Sequence, residues 1–278
     1  MPLKLPKAVE SNQSDIGQQH ESGMPRKLLA VGAFFCWKTM NPFTDRIHRI
    51  PRIWSNRTLD RIAHLFDGDI VNVSAWKDKD KQGREYRDYF ENASSYTLTN
   101  FDADKRGFQG QEGEIYLDLE ANLPEELQGR FDTVFNHTTL EHVFNIQQAF
   151  NNLCRMSRDT VVIILPFLQQ YHSNYGDYWR LTPLAIKKLF EGQGFDLIYQ
   201  DFNRHRASSV YTFSVASCKP EKWEGTFADW KFDYRDPRRR GHEAFVGCQA
   251  ISNRAFRFRS YVERKLRFTS RSRRSKAG

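Results

Sequence analysis

Cysteine and long apolar runs are both scarce in this chain. The four cysteines are Cys36, Cys154, Cys218 and Cys248. They stand far apart, without a CxxC pair or a histidine at ligand spacing, which argues against a disulfide framework and a cysteine-based zinc site. The longest unbroken apolar run, Leu28 to Trp37, is well short of the ~20 residues that a membrane-spanning helix requires. We therefore expect a cytoplasmic protein with reduced thiols.

Glycine is missing where a dinucleotide-binding loop would need it. The first predicted strand ends at Val73, and no glycine lies between Asn72 and Gly83. A G-x-G-x-x-G loop needs glycines there so that the backbone can approach a pyrophosphate. An NAD or FAD domain is therefore not expected. The small pair Ser74 and Ala75 still allows close approach to a ligand without a pyrophosphate, and an ordinary strand-to-loop turn is the alternative interpretation.

The positive charge is concentrated at one end of the chain. From Arg235 onward there are 14 Lys and Arg against 3 Asp and Glu, whereas the preceding 234 residues hold 28 against 31. The body is thus almost neutral, with a balance of −3, and the last segment carries +11. Arguments about polyanionic partners therefore concern the C-terminal segment alone.

Four regions differ in composition along the chain. We predict a disordered leader over 1–25, a main domain over 26–218, an irregular appended segment over 219–250 and a basic amphipathic tail over 251–278. The leader is rich in Ser, Asn, Gln and Pro and has almost no apolar periodicity, which is typical of disorder.

Within the main domain, short apolar runs alternate with helix-like stretches. The predicted strands are Ile70–Val73, Tyr96–Thr99, Glu114–Leu117, Phe131–Asn136, Thr160–Pro166, Leu197–Tyr199 and Ser209–Ser217, and the predicted helices are Arg57–Phe66, Asn145–Met156 and Pro183–Gln193. Such alternation predicts an α/β fold with a mostly parallel sheet, helices on both faces and an antiparallel last strand.

Polar loops follow the predicted strands. In open α/β sheets ligands bind at the carboxyl ends of the strands, so two neighbouring loops of this kind are expected to meet in one cleft. His172 and Asp177, in the loop after the fifth strand, offer a neutral imidazole and a carboxylate as general bases. Alternatively, His172 only holds its loop by bonding Asp177. The pair Glu141-His142 favours helix capping and loop orientation over catalysis, and Asp118 is either a ligand acceptor or a turn cap.

Two segments carry a family resemblance. They are Leu140-Glu-His-Val143 and the run from Pro166-Phe167 through His172 to Asp177-Tyr-Trp-Arg-Leu-Thr-Pro183. Together with the strands before them, over roughly residues 57–217, they resemble the class I S-adenosylmethionine-dependent methyltransferases. The nearest group is the type 11 methyltransferase-like group, which is often associated with bacterial surface-glycan biosynthesis. The resemblance implies a seven-stranded Rossmann-like sheet with S-adenosylmethionine as cofactor.

The resemblance also implies where the cofactor binds. Its methionine part is expected near Asn72, Ser74 and Ala75, its ribose near Asn100, and its adenine near Asp118 and Leu119. From the loops after the fourth and fifth strands we add Asn136 as a cofactor contact and four acceptor contacts. These four are His137, Tyr178, Trp179 and Arg180. The family's acid and Gly-x-Gly are replaced here by Asn72, Ser74 and Trp76.

The expected activity is methyl transfer from S-adenosylmethionine to an oxygen nucleophile, for which we expect a sugar hydroxyl in glycan biosynthesis. His172 or Asp177 would accept the proton. No metal is predicted, because the loop acids and histidines show no ligand spacing in the sequence. The rival hypothesis is a methyltransferase-like binding or scaffold protein that has lost its cofactor. A nucleic-acid methyltransferase is not favoured, because the body is not basic and no Asn-Pro-Pro-Tyr-like loop follows Phe131–Asn136.

The tail has the pattern of a basic amphipathic helix. Ala255, Phe258, Val262 and Leu266 recur at helical intervals among arginines and lysines. Such a helix binds an anionic membrane surface, binds nucleic-acid phosphates, or docks on the body.

Deleting residues 255–278 is expected to abolish binding to anionic vesicles without unfolding the sheet. Each basic residue near an anionic surface is worth ~1 kcal/mol, so binding should also weaken steeply with added salt. Vesicle co-sedimentation and thermal unfolding of the two chains measure both effects. A large fall in melting temperature on deletion, with no vesicle binding by the intact chain, would establish the docked helix instead.

Overall fold

The computed structural model describes residues 43–102, 107–172, 176–205 and 208–227, together with residues 255, 258, 259, 261 and 262. The predicted leader lies outside the described residues, as do most of the appended segment and the tail. The strands are β1 (Gly68–Val73), β2 (Ala93–Asn100), β3 (Glu114–Tyr116), β4 (Phe131–His137), β5 (Ser157–Leu168), β6 (Asp196–Phe202) and β7 (Val210–Ser217). The α-helices are α1 (Arg49–Ile62), α2 (Ile146–Met156) and α3 (Pro183–Glu191).

The seven strands form one sheet in the order β3-β2-β1-β4-β5-β7-β6. Neighbouring strands from β3 through β5 pair in parallel, and β7 pairs antiparallel with both β5 and β6. Strand order reverses between β1 and β4, where ligands bind in folds of this kind. The predicted fold class, a mostly parallel Rossmann-like sheet with its last strand antiparallel, is confirmed.

The sheet is buried on both faces, which explains its β-branched strands. Along β5, Val161, Ile163 and Leu165 belong to one core cluster, whereas Val162 and Ile164 belong to the other. Successive side chains of a strand point to opposite faces, so each face has its own core. Apolar residues of α2 and α3 complete the first cluster, and those of α1 complete the second. Helices therefore cover both faces, as predicted.

Helix ends follow their capping residues. Asn145 and Thr182 each accept a backbone N–H through the side chain, at 3.3 and 3.1 Å, and so begin α2 and α3. Helix α1 begins eight residues before its predicted start and ends at Ile62. The buried face of this helix includes polar residues such as Ser55 and Asn56, so the sequence shows no apolar periodicity there. None of the helices in the described part of the chain is long and apolar enough to cross a membrane.

The chain continues onto the core after β7. Residues Pro220–Trp223 form a 3₁₀ turn, and the side chains of Trp223 and Phe227 are buried in the second core cluster. Asp159, at the start of β5, accepts hydrogen bonds from Ser217 and from the Trp223 indole. The first nine residues of the predicted appended segment therefore pack on the sheet.

The loop after β1 has an unusual backbone. Ser74, Trp76 and Asp78 have φ angles of +58°, +50° and +52°. This left-handed region favours glycine because a Cβ atom crowds the following carbonyl oxygen there. The sequence thus has no glycine in this loop, but the backbone at Ser74 and Trp76 adopts a conformation that favours glycine.

Ser74→Gly is expected to be more stable than Ser74→Ala by about 1 kcal/mol, because only the alanine keeps a Cβ atom at a left-handed position. Urea unfolding of the two variants measures the difference. Lys188, exposed in α3, provides the matched control: there the alanine variant should be the more stable one, by about 1 kcal/mol. An alanine variant at position 74 as stable as the glycine variant would contradict the left-handed backbone.

Candidate functional site

One pocket of about 640 Å³ opens where the carboxyl ends of β1, β2 and β4 meet. Its volume lies within the range of small-molecule sites. Nine of the predicted site residues line it: Asn72, Ser74, Ala75, Asn100, Asp118, Leu119, His137, His172 and Tyr178. The fold therefore brings members of both predicted sets, for the cofactor and for the acceptor, to one cavity.

Asn100 fixes the loop after β1. Its Oδ1 accepts the Trp76 N–H at 2.6 Å, and its Nδ2 donates to the Trp76 carbonyl oxygen at 3.1 Å. Nδ2 also donates to Glu114. Because these bonds use both amide hydrogens and one lone pair of the amide oxygen, Asn100 shapes this side of the pocket. Asp102, two residues further on, also lines the pocket and offers a carboxylate for ribose hydroxyls.

Asn72 and Asn136 stabilise the same loop through hydrogen bonds from β1 and β4. The Asn72 amide donates to the buried Asp78 carboxylate at 2.8 Å, and Tyr96 donates to the same oxygen at 2.9 Å. Asn136 is fully buried and donates to the Val73 carbonyl oxygen at 3.0 Å. Asn136 does not line the pocket, so we assign it to holding the loop rather than to direct cofactor contact.

The segment after β3 forms another wall of the pocket. Asp118, Leu119 and Glu120 all line it. Oδ1 of Asp118 accepts the Glu120 backbone N–H at 2.8 Å, so this carboxylate forms a turn and also faces the cavity. Leu119 is 4% exposed and offers an apolar surface for an aromatic ring.

A second wall is organised by Asp177. Its side chain is 1% exposed, and its two oxygens accept from the Arg180 guanidinium at 2.6 and 2.7 Å. His172 donates its backbone N–H and its Nδ1–H to the same carboxylate, at 3.0 and 3.1 Å. Burial alone would raise the pKa of Asp177, but the bonds from Arg180 and His172 lower it below its usual value.

Burial lowers the pKa of His172, so its ring is neutral near pH 7. The Nδ1 nitrogen of His172 carries the hydrogen that it donates to Asp177, so the Nε2 nitrogen carries the lone pair. Asp177 orients His172 and does not line the pocket, and Arg180 holds Asp177. We therefore correct the predicted role of Arg180 from acceptor binding to positioning.

Trp179 also differs from its predicted role. Its indole donates to the carbonyl oxygens of Val143 and Phe144, at 3.0 and 3.1 Å, and its side chain lines a separate groove beside α3. It therefore ties the two loops together. Tyr178 is 52% exposed and lines the main pocket, with Phe144 packed edge-on at 5.2 Å between ring centroids.

Of the capping and loop-orienting role predicted for Glu141 and His142, the capping part is wrong. They lie in a 3₁₀ turn, Leu140–His142, whose start has no side-chain cap, and Asn145 caps α2. The Glu141 side chain is 2% exposed, and burial raises its pKa to about 7. The His142 ring lines the pocket and donates Nδ1–H to the Gly176 carbonyl oxygen at 2.6 Å.

The fold also brings together three residues that could hold a metal ion. One ligand atom from each of Glu141, His142 and His172 lies within 4.8 Å of the other two. His172 lies 30 positions after His142 in the chain and 31 after Glu141, so no sequence spacing reveals the group.

Several pocket residues carry no recognisable sequence signal. Arg52, on α1, lines the pocket and donates to the Thr138 hydroxyl. Tyr86 and Tyr211 line it beside Arg52. His137 is held by Ser55 at 2.8 Å, and burial followed by repulsion from Arg52 lowers its pKa well below the usual value. Arg52, Tyr86 and Tyr211 come from distant elements, so only the fold identifies them, whereas His137 was predicted from the sequence.

The comparisons with known proteins return solved structures of low sequence identity. No family model and no curated protein matches the sequence. Magnesium protoporphyrin IX methyltransferase from Synechocystis, solved with S-adenosylhomocysteine, aligns over 60% of this chain and 84% of its own, at 11% identity and a TM-score of 0.40. An S-adenosylmethionine-dependent methyltransferase from Mesorhizobium loti aligns over 58% and 96%, at 12% identity and a TM-score of 0.40.

A third solved structure is 1,6-didemethyltoxoflavin-N1-methyltransferase from Burkholderia thailandensis, with its substrate and S-adenosylhomocysteine bound. It aligns over 59% of this chain and 80% of its own, at 14% identity and a TM-score of 0.40. The order of the seven strands and the antiparallel β7 give this chain the fold of the class I S-adenosylmethionine-dependent methyltransferases, as the sequence resemblance implies.

Proposed function

We propose that the protein transfers a methyl group from S-adenosylmethionine to an oxygen nucleophile, a sugar hydroxyl of a glycan or glycan precursor. The observation that carries this proposal is the continuity of the pocket. It joins the loop after β1, with Asn100 and Asp118, to His172 and Tyr178. A cofactor on the first side would present its methyl group toward the second.

The reaction needs orientation and removal of one proton. The hydroxyl oxygen bonds to the methyl carbon while the carbon–sulfur bond breaks, and its electron pair stays on sulfur to give S-adenosylhomocysteine. The hydroxyl proton passes to Nε2 of His172, whose ring Asp177 orients through Nδ1. Holding oxygen and methyl carbon in line supplies much of the rate enhancement in such transfers.

Exposed aromatic rings at the pocket support a sugar-like acceptor. Trp76, Phe144 and Tyr178 line the cavity, and they are 36%, 67% and 52% exposed. Aromatic rings of this kind bind ligands that combine apolar faces with hydroxyl groups, because they offer apolar area and, in Trp and Tyr, a polar edge.

The left-handed backbone of the β1 loop argues against the alternative, a scaffold that has lost its cofactor. Ser74 and Trp76 keep the conformation that glycine would adopt. Asn100 holds that conformation through two bonds to Trp76. A cofactor site that had decayed would have no reason to retain a loop of this cost.

S-adenosylhomocysteine is expected to bind with a micromolar dissociation constant in isothermal titration. Asn100→Ala should weaken binding by roughly 10-fold, because the Trp76 backbone loses both bonds that fix it. NADH is the negative control, since the loop lacks the glycines for a pyrophosphate. A millimolar dissociation constant for S-adenosylhomocysteine would favour the scaffold instead.

His172→Ala is expected to lower turnover at least ~100-fold, the usual scale for a lost proton acceptor. Asp177→Asn should lower it less, because it disturbs only the orientation of His172. S-adenosylhomocysteine formed with a panel of nucleotide sugars and oligosaccharides, measured by mass spectrometry, gives the rates. Tyr171→Ala, which changes an exposed neighbour, is the control. Unchanged turnover in His172→Ala would remove His172 from the reaction.

A further inference from the structure

Three donor groups of different origin meet at the acceptor side of the pocket. Glu141 and His142 come from the 3₁₀ turn after β4, and His172 comes from the loop after β5. One ligand atom of each lies within 4.8 Å of the other two, and Oε1 of Glu141 lies 3.7 Å from Nε2 of His142. This separation places all three around a point that one ion can occupy.

Both histidines are fixed in the tautomer that a metal ligand needs. His172 donates Nδ1–H to the Asp177 carboxylate, and His142 donates Nδ1–H to the Gly176 carbonyl oxygen. In each neutral ring the lone pair is therefore on Nε2. Metal-binding histidines characteristically donate their other N–H to a carboxylate or a backbone carbonyl, which sets the ring orientation. Both kinds of partner are present here.

Glu141 supplies an independent observation. Its side chain is 2% exposed, and among the described residues its Oε2 has no hydrogen-bond partner. Buried carboxyl oxygens are normally hydrogen-bonded, since an unmet acceptor costs about 1–3 kcal/mol. A metal ion bound beside this carboxylate would supply the missing partner of Oε2.

We propose that Glu141, His142 and His172 bind one divalent transition-metal ion of the zinc type. Two imidazole nitrogens and one carboxylate are the donors of catalytic zinc sites with three protein ligands, which keep a further position open. Magnesium fits less well, because it prefers oxygen ligands. Since His142 and His172 line the pocket, the open position faces the acceptor.

The metal site would take part in the proposed methyl transfer, and its role in catalysis rests on that proposed function. A bound cation would coordinate the acceptor hydroxyl oxygen and lower its pKa. The proton would then pass to water rather than to Nε2 of His172, and the oxygen electron pair would attack the methyl carbon as the carbon–sulfur bond breaks. Proton and metal compete for one nitrogen, so metal binding decides between the two forms of the mechanism.

The test is a titration of the untagged, chelator-treated full chain with ZnCl₂. We expect saturable one-to-one binding with a dissociation constant tighter than about 100 μM. Glu141→Gln, which keeps the shape but removes the charge, and His142→Ala should each weaken binding at least ~10-fold. Asp177→Asn should weaken it by roughly 10- to 100-fold through the orientation of His172. His64→Ala, an exposed histidine outside the group, should leave it unchanged.

Thermal unfolding of each variant, without zinc, separates ligand loss from misfolding. Cobalt absorption gives a second measurement, because a Co²⁺ spectrum that changes in Glu141→Gln but not in His64→Ala reports the ligands directly. Binding weaker than about 100 μM, or equal loss in His64→Ala, would overturn the proposal. S-adenosylhomocysteine titrated into the same sample distinguishes this failure from failure of the proposed function, since it does not require the ion.

Discussion

The candidate site depends on one ion pair, between the buried Asp177 carboxylate and the partly exposed Arg180 guanidinium. Two bonds at 2.6 and 2.7 Å fix a carboxylate that is 1% exposed, and the same carboxylate orients His172. Its neighbours in the chain join the other loop: Gly176 accepts from His142, and Tyr178 donates its N–H to the Glu141 carbonyl oxygen at 2.7 Å. Removing Arg180 would leave the Asp177 charge buried without its cation, a loss that costs about 3–5 kcal/mol in fully buried pairs.

Sequence patterns predicted the sheet well because strands that are buried on both faces must be apolar along most of their length. Runs such as Thr160–Pro166 are apolar on both faces, which only a buried strand requires, and β5 contains that run. The start of α1 was missed for the converse reason. Its buried side chains Ser55, Asn56 and Thr58 are polar, and they fold inward because Ser55 meets His137 and Asn56 meets Asp80. Periodicity cannot show a buried face that is held by hydrogen bonds.

The site was predictable only in part, for reasons of topology. Residues directly after strands, such as Ser74, Asp118 and His172, could be placed because parallel strands end at one edge. Arg52 and Tyr211 come from α1 and β7, which no strand-end rule connects. The backbone of the loop after β1 could not be predicted either, since the sequence records residue type and neither serine nor tryptophan indicates a positive φ. The angles at Ser74 and Trp76 became visible only in the fold.

Two energetically unfavourable features lie together at the carboxyl end of β4. Thr138 is β-branched and has a φ of +54°, which is held by the Arg52 guanidinium and by a backbone bond to Ile164. Three residues on, Glu141 is buried with one carboxyl oxygen unbonded among the described residues. A left-handed β-branched residue costs about 1–2 kcal/mol, a large fraction of a typical domain's net stability of about 5–15 kcal/mol. Unfavourable local features of this kind persist mainly at functional sites. Their position beside the pocket therefore supports a functional role for this edge of the sheet.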